Sequence, residues 1–334
     1  MTRFRRWIEA ASRRYWIGVA GVLLSLPAAV VAHGQAGNYP AKPVTIISDA
    51  APGAAPDVVA RFIADGLGKM WGPQTLVINR PGANGSIAAR AAAEAAPDGY
   101  TLYYPVTSTF IALPTVAPNL PVKLPRDFSP IGFGTFQPMF VAVTSSLGVS
   151  TLPQLIALAK KSPGQISIAV TGVGRMTHLT GELLQQRADI KLLTVPYNGG
   201  PASAFADLGS GRVSMIIEGY AGIVGAVQST AIKLIAVASS ERLPEFPDLP
   251  TVAENIPDFS AAGWQILAAP LGTPQPIINK VSADLAKVES DAAFKKRLAT
   301  VGAYPRPMTP EQTLAFVQKE QETWLPVLQK VDGK

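Results

Sequence analysis

The sequence predicts an α/β protein with mainly parallel sheets, and three features support this prediction. Short apolar runs alternate with helical segments, turns rich in Gly and Pro separate them, and this order repeats along most of the chain. The predicted strands are 44–48, 75–79, 101–105, 140–143, 166–170, 192–196, 213–217 and 234–238. The predicted helices are 56–70, 86–96, 151–161, 178–187, 201–208 and 220–227, followed by a helical closing third at 275–289, 291–300 and 310–330.

The first strand–turn–helix unit shows the pattern most clearly. Its strand is apolar, and its helix begins at Pro56, because proline suits the first position of a helix. Apolar residues at helical spacing predict one buried face, made of Val59, Phe62, Ile63, Leu67 and Met70. The segment 166–184 repeats this device of apolar strand, Gly-containing turn and helix, and the remaining units follow from the same alternation.

Residues 1–36 have the composition of a cleavable export signal. Five arginines precede an uncharged apolar run that starts at Tyr15, is broken by Pro27 and ends near Ala32. Gly34 and Ala36 then offer a small-residue cleavage site. The stretch SRRYWI also resembles a twin-arginine signal, so general secretion and twin-arginine export both remain open. The chain has no cysteine, which excludes a disulfide framework and a lipid-anchor cysteine.

Export with cleavage gives the first testable prediction. We expect the mature protein to begin near Gly37 and to be found in the periplasm, because the apolar run is short for a membrane span. N-terminal sequencing of the exported protein checks this expectation. A membrane-bound product that still begins at Met1 would contradict it.

The charge of the chain is concentrated in this leader. Its five Arg against one Glu account for +4 of the formal net charge of +6, which leaves about +2 on the mature chain. Such a weak excess does not favour nucleic acid or a membrane surface as a partner. About 300 residues remain, which is enough for two domains, and no later segment is apolar and long enough to cross a bilayer.

The turn before Pro56 is a candidate anion site. A loop of small residues leading into a helix N-terminus presents free backbone N–H groups and a partial positive charge. A phosphate site is disfavoured, because a P-loop needs Lys and Ser/Thr where this chain has Ala54, Ala55 and Pro56. A simple tight turn remains the alternative. If the second unit at 166–184 faces the same cleft, the two turns form an anion site with two jaws.

Three further features could add polar groups to such a site. Arg175 lies beside the second helix N-terminus and could hold a carboxylate, with a solvated loop arginine as the alternative. The residues of 197–200 form another strand-end turn, and Thr107, Ser108 and Thr109 follow the third strand. The location of each group after a strand is what favours a shared site.

The sequence offers few residues that could form a catalytic site. GVGRMT (172–177) only half-matches the dinucleotide fingerprint, since Thr177 replaces the third Gly and no acidic residue ends the next strand. His178 is the single histidine beyond the leader, and no G-x-S-x-G motif is present. We interpret His178 mainly as a local hydrogen-bonding residue, with ligand contact as the alternative. We expect no cofactor and no metal.

Seven motifs in order resemble a known family. They are YPAKPVTII, NRPGANGSIAARAAAEAAPDGYTL, DFSPIG, THLTGELL, VPYNGGPASAFADLGSGRVSMI, DLPTVAE and LAAPLGTP, which lie between Tyr39 and Pro274. Together they resemble the Bug-type substrate-binding proteins of tripartite tricarboxylate transporters. The resemblance implies a type II periplasmic binding-protein fold, with two α/β domains, a central cleft and crossover strands. It implies domain 1 at 37–142 plus 264–334 and domain 2 at 143–263.

The resemblance also implies a function and a set of site residues. A monomer would capture a small carboxylate, including di- and tricarboxylates, by domain closure and deliver it to a two-subunit membrane carrier. The ligand-binding residues implied in this way are Pro52, Gly53, Ala54, Ala55, Asp57, Thr107, Ser108, Thr109, Thr171, Gly172, Gly174, Arg175, Thr177, His178, Tyr197 and Gly200.

This chain departs from the family pattern at two of these loops. The common first loop reads Pro-Gly-Gly-Ser-Thr-Asp, whereas residues 52–57 read Pro-Gly-Ala-Ala-Pro-Asp, so contacts there must rely on backbone N–H groups. In the second domain, Arg175 replaces a small hydroxyl residue, which suggests a second anionic group on the ligand. Two alternatives stay open, namely an exported hydrolase that uses carboxylates and a ligand sensor for a membrane histidine kinase.

Overall fold

The computed structural model describes residues 38–112, 114, 119–120 and 122–332, so the predicted export signal lies outside the described residues. The strands of this part are β1 (Val44–Ser48), β2 (Thr75–Asn79), β3 (Thr101–Tyr104), β4 (Phe128–Thr144), β5 (Ser167–Val170), β6 (Leu193–Pro196), β7 (Met215–Gly219), β8 (Ile232–Val237) and β9 (Ala262–Pro270). The helices are α1 (Ala55–Trp71), α2 (Ser86–Ala93), α3 (Thr107–Ile111), α4 (Leu152–Lys161), α5 (Met176–Ala188), α6 (Phe205–Gly209), α7 (Tyr220–Gln228), α8 (Gln275–Ser290), α9 (Ala292–Ala299) and α10 (Pro310–Asp332).

All nine of these strands join one mixed sheet, in the order β2-β1-β3-β9-β4-β7-β5-β6 with β8 beside β4. In the first half of the sheet, β1 pairs in parallel with β2 and β3, and in the second half β5 pairs in parallel with β6 and β7. The halves are joined by β4 and β9. Up to Pro138, β4 pairs antiparallel with β9, and from Met139 onward it pairs antiparallel with β7 and β8.

The prediction of mainly parallel sheets is therefore wrong for the centre of the molecule. The predicted strand 140–143 is only the end of the 17-residue β4, and β9 was not predicted. The reason is physical: β9 is buried along its whole length, so it lacks the alternation that identifies a half-exposed strand. Prolines and glycines at 130–138 also make the first part of β4 read as a connecting segment.

Helix α1 forms as predicted, with one correction. Proline occupies its first turn, and the helix ends at Gly72, whose φ of 86° is unfavourable for other residues. Val59, Ile63 and Leu67 are fully buried in the hydrophobic core beside the first half of the sheet. Met70, predicted to share this face, is 42 % exposed, and Phe62 is only half-buried.

Other elements differ from the predictions in their boundaries. The predicted helix 201–208 is a short 3-10 turn, Pro201–Ala204, followed by α6, because Pro201 and Gly200 start the segment in a tight turn. Helix α5 begins two residues earlier than predicted, at Met176. Within the described ranges, no helix has both the length and the apolar character that crossing a bilayer requires.

Candidate functional site

A cavity of about 420 Å³ lies where loops from both halves of the sheet meet the two joining strands. The first half contributes the N-terminus of α1 and the start of α3, and the second half contributes the N-terminus of α5 and the loop before α6. This is the edge at which the parallel strands of each half end, as expected for ligand sites in α/β proteins.

Nine of the sixteen predicted site residues line this cavity. They are Ala54, Ala55, Thr107, Ser108, Thr171, Gly172, Arg175, Thr177 and Gly200. The other seven, which do not line it, are Pro52, Gly53, Asp57, Thr109, Gly174, His178 and Tyr197. The cavity thus brings together the two predicted loops, at the starts of α1 and α5, although some residues of each loop do not line it.

The N-termini of α1 and α5 supply unpaired backbone donors at the cavity. The N–H group of Ala55 has no acceptor among the described residues, and neither do those of Met176 and Thr177. No side chain caps either helix. Free N–H groups together with the helix dipole favour a bound anion at each terminus.

Arg175 adds a full positive charge to the same wall. It is half-buried and donates one N–H to the carbonyl oxygen of Asp49 at 3.3 Å, which links the second half to the first. It forms no ion pair with any residue of the described chain. The remaining guanidinium donors are therefore available to a ligand.

A buried carboxylate on the cavity wall was missed by the sequence analysis. Glu218 is the next-to-last residue of β7 and is 5 % exposed. Its two oxygens accept hydrogen bonds of 2.9 Å from the backbone N–H of Gly219 and the hydroxyl of Thr171. Burial raises the pKa of this carboxyl, while the two hydrogen bonds and the charge of Arg175 lower it. In the sequence, a charged residue directly after the predicted apolar strand 213–217 was the signal that could have identified it.

The hydroxyls of Thr171 and Thr177 are already engaged with one another. Thr171 donates its only hydroxyl proton to Glu218. Thr177 must therefore be the donor in the 3.1 Å hydrogen bond between the two hydroxyls. Thr177 in turn accepts from the backbone N–H of Thr171. Both residues line the cavity, but neither hydroxyl retains a proton for a ligand, so they can act there only as acceptors.

A second buried carboxyl lies behind the first jaw. Asp49 accepts from the backbone N–H of Val106 at 2.8 Å and from the hydroxyl of Thr109. Burial raises its pKa, and the positive charge of Arg175 is the strongest influence that lowers it. Thr109 thus holds the loop after β1 to α3 rather than facing the cavity.

The two joining strands add polar side chains that sequence reasoning did not identify. Gln137 of β4 donates to the carbonyl oxygen of Ala55 at 3.1 Å, and Gln265 of β9 accepts from Thr135 at 2.9 Å. The side-chain oxygen of Gln137 and the side-chain NH₂ group of Gln265 have no hydrogen-bond partner in the described chain. Both residues line the cavity, and they were missed because the strands that present them were not predicted.

A third loop, 81–84, also lines the cavity and was missed. It follows β2, and the φ values of 114° at Gly82 and 54° at Asn84 give it a tight left-handed turn. The rule that placed the other loops, a Gly-containing turn after a parallel strand, applies equally to this segment and could have found it.

Three of the predicted site residues that do not line the cavity have hydrogen-bond partners within the chain. Asp57 accepts from the N–H of Gly53 and from Asn79, which holds the first loop against α1 and β2. His178 accepts from the N–H of Gly174 at 3.1 Å, the local role that we favoured for it. Tyr197 donates to Asp207 at 2.5 Å. These three side chains shape the loops around the cavity.

Comparison with known families gives a clear match. The sequence model of the tripartite tricarboxylate transporter family receptors matches residues 59–332. The fold is also that of solved periplasmic proteins, among them the periplasmic binding protein BugD, which is 31 % identical. That comparison covers 88 % of this chain and 99 % of BugD, with a TM-score of 0.79.

Two similar structures contain a small dicarboxylate. One, from R. palustris, was solved with adipate; it is 28 % identical, with a TM-score of 0.83 over 88 % of this chain and 98 % of that protein. The other is MatC from Rhodopseudomonas palustris with bound malate. It is 30 % identical, with a TM-score of 0.78 over 87 % of this chain and all of MatC.

Proposed function

We propose that this chain, which belongs to the tripartite tricarboxylate transporter receptor family, binds a small organic carboxylate in the cavity between the two halves of its sheet. The observation that supports this most directly is the convergence of two uncapped helix N-termini and Arg175 on one cavity. Each of these groups stabilises negative charge, and they come from opposite sides. The similar proteins with adipate and malate agree with this chemistry.

Arg175 favours a ligand with more than one acidic group. The helix termini can hold one carboxylate through backbone donors, which leaves the guanidinium for a second anionic group. We therefore propose a di- or tricarboxylate, or a carboxylate with another acidic substituent. A ligand of this kind also fits a cavity of about 420 Å³, which is within the range of small-molecule sites.

The halves of the sheet suggest how the protein captures its ligand. We propose that residues 37–142 with 264–334 and residues 143–263 are two domains that close on the ligand about β4 and β9. Closure would remove water from the cavity and strengthen the contacts of both jaws. The described halves touch around the cavity, as the Arg175–Asp49 contact shows.

The closed protein would then deliver its ligand to a membrane carrier and would not catalyse a reaction. We propose that the protein acts in the periplasm as a monomer, binds its ligand without transforming it, and delivers it to a two-subunit membrane carrier. Genes for such a carrier beside the gene of this protein would support delivery. A neighbouring kinase–regulator pair would instead support a role as a ligand sensor.

A ligand screen tests the proposal. We expect small di- and tricarboxylates to raise the thermal midpoint of the mature chain, and neutral amides of the same size to have little effect. Calorimetry of the best acids would then give dissociation constants. Binding restricted to neutral molecules, or no binding of any organic acid, would contradict the proposed function.

A further inference from the structure

We propose that Glu218 selects carboxylate ligands that also present a hydrogen-bond donor, a hydroxyl or an ammonium group, toward it. This inference rests on the proposed function and narrows its substrate class. It starts from the position of Glu218, a charged side chain that is nine-tenths buried and yet lines the cavity.

The hydrogen bonds of Glu218 leave it able to accept more. A carboxylate offers about four lone-pair positions, and the chain fills two of them through Gly219 and Thr171. No Lys, Arg or His lies within ion-pair distance of it in the described part of the chain. Because Glu218 lines the cavity, a donor on the ligand is the natural partner for the remaining positions.

The charges on the cavity wall also favour a ligand that carries a hydrogen-bond donor. Arg175 is the positive side chain on the wall, and its field reaches Glu218, as its effect on the pKa of that carboxyl shows. A ligand carboxylate attracted to Arg175 also approaches Glu218, and two carboxylates in a site of low dielectric repel each other strongly. A donor on the ligand, placed between its own carboxylate and Glu218, removes this conflict.

The competing explanation is a proton on Glu218. Burial raises the pKa of this group, so a bare dicarboxylate could bind if Glu218 took up a proton at the same time. The two explanations differ in what they predict for matched ligands. If a ligand donor is required, adding a hydroxyl or an ammonium group increases affinity, and binding takes up no proton.

The test uses succinate, malate and aspartate, which share a four-carbon dicarboxylate skeleton and differ in the group on one carbon. If another length binds better, glutarate, 2-hydroxyglutarate and glutamate replace them. We expect malate or aspartate to bind the wild-type chain about tenfold or more tightly than succinate. The hydroxyl and ammonium arms identify which donor the site accepts.

The variant Glu218→Gln separates this contact from the rest of the cavity. We expect it to reduce the preference to about two- or threefold while the affinity for succinate stays the same or rises, because the repelling charge is gone. Glu289→Gln is the matched control, since Glu289 is a buried carboxyl that lies outside the cavity, and it should keep the wild-type preference.

Calorimetry of the wild-type chain in two buffers of different ionisation enthalpy needs no variant. Uptake of about one proton with succinate and with the preferred acid alike would overturn the inference, as would equal affinity for all three acids or a preference that Glu218→Gln retains. These outcomes leave the proposed function intact. Absence of binding by every acid would contradict the proposed function itself.

Discussion

Replacing Arg175 with alanine is expected to weaken binding of a di- or tricarboxylate by about ten- to a hundredfold. The guanidinium lies on the cavity wall without an ion-pair partner in the described chain, and a charge-assisted contact is worth about 1.5–3 kcal/mol. Calorimetry on the wild type and the variant measures the change. Neutral analogues should lose much less affinity than the acids.

An arginine of α5, the helix that Arg175 directly precedes, provides the control. Arg187 lies at the opposite end of α5 and donates to the carbonyl oxygen of Pro257, outside the cavity. Arg187→Ala should leave acid binding unchanged while removing the same charge from the molecule. If Arg175→Ala binds the best acid as tightly as the wild type, Arg175 does not contact the ligand and the dianion preference is wrong.

Replacing Gly219 with alanine is expected to weaken ligand binding by about five- to a hundredfold through a steric effect between the halves. A Cβ at position 219 would lie 2.8 Å from the Cβ of Ala55, which belongs to the opposite half. The backbone of Gly219 itself has φ −64° and ψ 140°, which alanine adopts without strain. Overpacking of this kind costs about 1–3 kcal/mol, and here it opposes the approach of the two jaws.

Two measurements examine this second prediction. Calorimetry reports the affinity, and solution scattering reports the radius of gyration, which should decrease on ligand binding in the wild type and decrease less in Gly219→Ala. The double variant Ala55→Gly/Gly219→Ala removes the clash and should recover most of the affinity relative to Ala55→Gly alone. Wild-type affinity and an equal decrease in Gly219→Ala would contradict closure through this contact.

The sequence was most informative where local rules apply. Proline at the start of α1 and the spacing of Val59, Ile63 and Leu67 are local signals, and the structure confirms the helix that they predict. The same rule, a small-residue turn after a parallel strand, predicted the loops at Ala54 and Arg175, and both line the cavity. These groups depend on a few neighbouring residues, so their location could be read from the chain.

The parts that the sequence did not predict depend on distant pairing. Gln137 and Gln265 reach the cavity only because the first part of β4, up to Pro138, pairs with β9, which lies more than a hundred residues later in the chain. Burial on both sides hides such strands from periodicity arguments. Glu218 was missed for a related reason: the strand was predicted to end at Ile217, one residue before the carboxyl that faces the cavity.

Some predicted site residues lie outside the cavity wall and are held by contacts within the chain. Asp57 was expected at the ligand, but its carboxylate is used in hydrogen bonds to Gly53, Asn79 and Arg61. Sequence position alone could not distinguish the two roles, because Asp57 lies in the first turn of α1 next to Ala55 and Pro56, which do line the cavity. The same holds for the hydroxyls of Thr171 and Thr177: the sequence does not show that both donate their protons to groups within the chain.

A crystal structure of the mature chain with its best-binding acid would test the central claim most directly. We predict one carboxylate of the acid within hydrogen-bond distance of the N–H groups at the starts of α1 and α5, and its second acidic group against the guanidinium of Arg175. An acid bound outside this cavity, or bound inside it without contact to either helix N-terminus, would contradict the claim.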